Sequence, residues 1–200
     1  MSLELALQRI TELQTLLTPA PPATVAPQTT QTFSTALQSA TTPASLSALP
    51  TSGGTNAGRA ALAFAQAEVG QAEQPPGSND SPRIAQYRQA TAGSGVGPWC
   101  AYFVSWAARQ AGTPLGDQGQ GFGRVDDVWA WGQRTGRATP AAGAQPQPGD
   151  LIVWDEHIGI VESVGADGSI NTVEGNSSDR VSKRAYGPDG GGAIGYVRLG

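Results

Sequence analysis

Apolar residues recur along this chain with two different periods, and the change from one to the other divides it. Over residues 3–17 (LELALQRITELQTLL), Leu3, Leu7, Ile10, Leu13 and Leu17 alternate spacings of four and three, a narrow apolar stripe along one side of a helix. Isolated helices below about 12–15 residues are marginal in water, so this one is expected either to pack on a partner, another copy or its own domain, or to fray as a tail. Residues 58–69 (GRAALAFAQAEV) set Leu62, Ala65 and Val69 on one side, which predicts the first helix of a compact domain. Gly70 ends it, and QAEQPPGSNDSP reads as a loop on its Pro and Gly before a short second helix over 83–90. A third helix is expected over 98–111, with Pro98 suited to the first turn and Gly112 to the position just past the end, and a fourth over Val125–Arg134.

Past residue 148 the pattern changes. LIVWD, IGIVESV, SINTVE, RVSKRAY and AIGYVRL are β-branched and aromatic runs separated by the turn signals PGD, GADGS and PDGGG. They predict an antiparallel β-meander of about five strands following the helices, and that order indicates an α+β fold. Between the two patterned regions, residues 18–56 are dominated by Pro, Ala, Thr, Ser and Gln with hardly a charge, which is the composition of a linker. The expected organisation is an amphipathic helix over 1–17, a linker over 18–56 and one domain over 57–200.

Composition narrows the partners. A net charge of −4 supplies no basic stripe to neutralise phosphates, which argues against nucleic acid. No apolar stretch approaches the roughly 20 residues needed to span a bilayer, and the first residues lack the basic and apolar regions of a secretory signal. One cysteine allows no intramolecular disulfide and no all-cysteine zinc site, and one histidine leaves any imidazole chemistry to His157.

Cys100 opens the third helix. There the positive end of the peptide dipoles and the unpaired amides favour thiolate, and the same amides can hold an oxyanion. A lone cysteine in an apolar helix is otherwise most often a buried small hydrophobe. His157 lies between two strand runs, with Gly159 leaving space beside it, and a nucleophilic cysteine needs such a base. Glu174 and Asn176 end the next strand run, so strand pairing brings one or the other beside His157, where a carboxylate or amide fixes the imidazole tautomer; singly, each also reads as a turn residue. Trp99, Trp129 and Trp154 are candidates to line a substrate groove, although tryptophans serve as often in cores.

Taken together, WCAYFVSW (99–106), PGDLI (148–152), HIGIV (157–161) and VEGN (173–176) resemble the cysteine, histidine-dependent amidohydrolase/peptidase (CHAP) family. The resemblance implies a papain-like α+β fold and cleavage of a peptidoglycan stem-peptide bond or of the N-acetylmuramoyl-L-alanine amide. It makes Cys100 the nucleophile, His157 the base and then the acid, Glu174 the orienting group and Asn176 a supporting polar group. Some relatives carry an acidic calcium loop upstream of the cysteine; here that region offers Glu73, Asn79 and Asp80 without alternating acidic ligands, so neither metal nor other cofactor is expected. The expected partner is peptidoglycan, in the periplasm or outside the cell. Residues 1–17 suggest attachment to a larger exported apparatus such as a flagellum or phage tail. A catalytically silent wall-binding module on the same fold is the competing reading.

Overall fold

Thr55 starts the first helix of the computed structural model, which describes residues 53–200: its Oγ1 accepts the Gly58 amide at 2.9 Å and so satisfies one of the orphan donors of the first turn. The expected helix over 1–17 and most of the linker lie outside the described residues. Helix α1 (Asn56–Ala67) buries Ala61, Leu62 and Ala65. It stops short of Val69, which is exposed: Gly70 follows at φ 97°, and Glu68 at the cap turns its carboxylate inward to the Tyr87 hydroxyl at 2.6 Å and the Arg83 Nε at 2.7 Å. Helix α2 (Pro82–Arg88) is capped by Ser81 Oγ, which accepts the Ile84 amide, and carries Pro82 where no intrahelical donor is needed. Helix α3 (Cys100–Gln110) is buried at every position from Cys100 to Ala108, which makes it the central helix, in contact with α1, α2 and the sheet. Helix α4 (Val125–Arg134) keeps the bounds read from the sequence.

Six strands follow: β1 (Ala138–Pro140), β2 (Leu151–Val153), β3 (Ile158–Val164), β4 (Ile170–Glu174), β5 (Ser182–Tyr186) and β6 (Gly195–Val197). Their order is β1-β6-β2-β3-β4-β5, antiparallel throughout. The α+β expectation holds, with two differences. The additional strand, β1, is built from Ala, Thr and Pro and gives no β-signal; Pro140 is tolerated there because the strand lies at the sheet edge. In addition, only β2 to β5 form a meander, since β6 returns to lie between β1 and β2.

Side chains alternate across a strand, so the sheet carries two cores. Leu151, Val153, Ile158, Ile160, Val173 and Val197 pack with the helices, and Ile152, Val161, Ile170 and Tyr196 form a smaller cluster of their own. Helix α3 approaches the end of β4 closely. A Cβ on Gly175 would lie 2.5 Å from Phe103 Cβ, so only glycine permits this packing. The start of α3, the β2–β3 turn and the end of β4 therefore converge at one place.

Candidate active site

Cys100 is the first residue of α3, and Trp99 before it, at φ −117° and ψ 15°, provides no side-chain cap. The first helical bond runs from the Phe103 amide to Trp99 O at 3.0 Å, so the amides ahead of it aim their positive ends toward the sulfur's end of the helix. The helix starts here rather than at Pro98 because Trp99 is fixed from two sides. Its indole Nε1 donates to Glu73 Oε1 at 2.9 Å, and its backbone N–H meets the Asn176 side-chain oxygen at 3.3 Å. Cys100 is a free thiol, 4% exposed.

His157 closes the turn between β2 and β3, where its carbonyl accepts the Trp154 amide at 2.8 Å. Its Nε2 lies 2.9 Å from Glu174 Oε2, and the Cys100 side chain is near enough to influence its titration. Burial alone would lower the imidazole pKa, but hydrogen bonding to Cys100 and to Glu174, with the charge of each, outweighs it and holds the ring at about 9. Glu174 is 1% exposed. Burial works against its charge, yet hydrogen bonds from His157, Thr172 and Tyr186 keep its carboxyl below the usual range. Thr172 Oγ1 donates to Oε1 at 2.6 Å and the Tyr186 hydroxyl at 2.8 Å, so Glu174 has a single oxygen left for the imidazole. Tyr186 is pushed up in turn by burial and by that carboxylate. The space at Gly159 is taken by Glu174 rather than by the ring: a Cβ there would sit 2.7 Å from Glu174 Cγ.

The nucleophile, imidazole and carboxylate candidates thus meet in the order Cys100, His157, Glu174. Residues 91–176 match the family described as the CHAP domain. That segment is a CHAP domain. No curated protein and no solved structure matches the chain. The family comprises cysteine-dependent amidohydrolases, a group of peptidoglycan hydrolases that act on the cell wall and hence outside the cytoplasm. No helix among the described residues is long and apolar enough to cross a membrane.

The four candidate residues all fall within the CHAP segment, but they do not form one cluster. Asn176 points away from the imidazole, to Trp99 N and, through its amide nitrogen, to Glu73 Oε1 at 3.2 Å. Of the three tryptophans considered for the groove, Trp99 is fully buried against Tyr87 and Phe103, which leaves no face for a substrate. Trp129 packs on Gly195 of β6, where an added Cβ would meet its ring at 2.4 Å. Trp154 lies beside the chemistry, its ring 5.5 Å from that of His157 and 5.1 Å from that of Tyr186, with Nε1 donating to Gly190 O at 2.8 Å. The cleft that opens onto Cys100, about 480 Å³, is lined instead by Tyr102, Arg124, Asp126, Asp155 and Glu156 among others.

Three further residues hold the candidate residues in place: Thr172 and Tyr186 at Glu174, and Glu73 at Trp99. Thr172 had a usable signal, because i and i+2 share a strand face and Thr172 precedes Glu174 by two. Tyr186 had none, since its reach to Glu174 depends on how β5 pairs with β4. Glu73 gives no sequence signal beyond a loop without ligand spacing, whereas its carboxylate is buried and occupied by Trp99 and by the Asn79 amide at 2.8 Å.

Proposed function

We propose that this protein is a peptidoglycan hydrolase that cleaves a stem-peptide bond or the N-acetylmuramoyl-L-alanine amide through a Cys100–His157–Glu174 acyl-enzyme. The observation that supports the reading is the hydrogen bond of the single imidazole to a buried carboxylate whose other oxygen is already satisfied, with Cys100 close enough to raise the imidazole pKa. In the first step the Cys100 thiolate adds to the scissile carbonyl, and the developing oxyanion takes N–H donors from the start of α3. The imidazolium of His157 gives its proton to the departing amine, leaving the acyl group on sulfur. His157 then takes a proton from water, which attacks the thioester and frees the carboxylate product. Glu174 keeps the ring in orientation and stabilises its cationic form without itself accepting the proton. Trp154 walls the imidazole, and the carboxylates of Asp126, Asp155 and Glu156 face the substrate's approach.

Delivery as part of a larger exported assembly, attached through residues 1–17, is consistent with the amphipathic stripe there. Digestion of purified cell wall by wild type, by alkylated wild type and by Cys100→Ala tests the reaction, with mass spectrometry of the released muropeptides to identify the bond. Wild type should solubilise wall material, and the other two should be inert. Equal binding with no digestion in all three would favour the silent module.

A further inference from the structure

The loop between α1 and α2 places one carboxylate where no charged partner meets it among the hydrogen bonds it makes. Glu73 is 3% exposed and lies outside the segment that matches the CHAP family. Its Oε1 accepts Trp99 Nε1 at 2.9 Å and faces the Asn176 amide nitrogen at 3.2 Å, and its Oε2 accepts the Asn79 amide at 2.8 Å. The backbone holds the carboxylate in place: the Glu73 amide donates to Asp179 O at 2.9 Å, and the neighbouring Ala72 bridges Arg180. The two side chains it binds have a particular position in the chain. Trp99 immediately precedes the nucleophile, and Asn176 follows Glu174 by two residues, its backbone held at φ 56°. Asn176 and Trp99 are also joined directly, oxygen to backbone N–H, at 3.3 Å.

We infer that Glu73 is a positioning residue for the reaction: through Trp99 and Asn176 it fixes where the start of α3 meets the end of β4, and so where the Cys100 sulfur sits relative to His157. The inference rests on the Cys100–His157–Glu174 reading. A small displacement of a reacting group costs a large factor in rate, roughly 100-fold for 1 Å. Removing the carboxylate frees Trp99 to turn, and the start of α3 then shifts the sulfur relative to the imidazole.

The test uses the full chain, soluble muropeptides as substrate, and the rate of Cys100 alkylation by iodoacetamide as a function of pH. Glu73→Ala should lower kcat roughly 100-fold with little change in KM, and should move the alkylation profile to higher pH. Glu73→Gln keeps an oxygen for Trp99 and Asn176 but offers the Asn79 amide a donor, so its kcat should fall about three- to tenfold, the scale of one hydrogen bond, with a smaller shift of the same sign. Val128→Ala, a core truncation in α4, serves as the destabilised control and should leave the alkylation profile in place. If Glu73→Ala matches Val128→Ala in both readouts, Glu73 is structural only and the inference fails. Should Glu73→Ala not fold, Glu73→Gln decides, and wild-type kcat with a wild-type profile overturns the proposal. Wild type that is inert, or active after alkylation of Cys100, sinks the underlying reading instead and the inference with it.

Discussion

His157 shows how a few contacts set chemistry that the residue type alone leaves open. Its free-solution pKa of 6.5 is raised to about 9 despite burial, because hydrogen bonding to Cys100 and Glu174 and the negative charge of each favour the cation. A pKa higher in the folded state than in the unfolded one stabilises the fold fully below pH 6.5, and that contribution is lost as pH rises through about 9. The alkaline limb of kcat/KM should lie near that value, since the leaving amine needs the imidazolium proton. Glu174→Gln removes one of the two raising contacts, so both the limb and the ring's own titration should move to lower pH. With only one histidine in the chain, a single imidazole NMR resonance reads this directly. An unmoved resonance in Glu174→Gln would contradict the assignment of Glu174 as the orienting carboxylate.

At the scale of elements, glycine decides how closely the parts of the site approach. Gly159 on β3 lies opposite Glu174 on β4, and the missing Cβ is the room in which Glu174 reaches the imidazole. Gly159→Ala forces a buried carboxylate to shift, since the contact at 2.7 Å is with its Cγ rather than with a free side-chain end. We expect a loss of stability of about 1–3 kcal/mol, as for overpacking elsewhere, with activity falling further than stability and the His157 resonance titrating lower. Urea unfolding beside the muropeptide assay checks it, and a fully active Gly159→Ala would show that Glu174 has more freedom than its three hydrogen bonds imply. The elements themselves were readable to different degrees. α4 was legible to the residue because its apolar positions Val125, Val128 and Trp131 hold a helical spacing. β1 was not, because a three-residue edge strand owes its conformation to pairing with β6 and needs no β-forming side chains of its own.

At the scale of the molecule, the domain is closed by contacts between distant ends. The Gly54 amide donates to Gln147 at 2.7 Å, Thr55 donates to Leu199 O, and Arg198 holds buried Asp150 with two bonds of 3.0 and 2.8 Å. Asp150 of the PGD motif thus ties the turn before β2 to the residue that follows β6, the last strand along the chain. Deleting 1–50 should leave kcat/KM on soluble muropeptides and the thermal midpoint unchanged while altering where the protein acts. Loss of intrinsic activity would contradict the linker reading.

The sequence by itself determined the periods, and with them four helices followed by strands, because burial of one face imposes a repeat that survives without knowledge of the partner. It also singled out Cys100 and His157, since one thiol and one imidazole leave no choice. Only the tertiary structure decided between Glu174 and Asn176 at the imidazole, turned Trp99 into the core, and joined Glu73 and Tyr186 to the site. Those outcomes depend on register and on contacts between residues far apart in the chain. Hydrogen bonds of that kind act over a few ångströms in space and leave no period in the sequence.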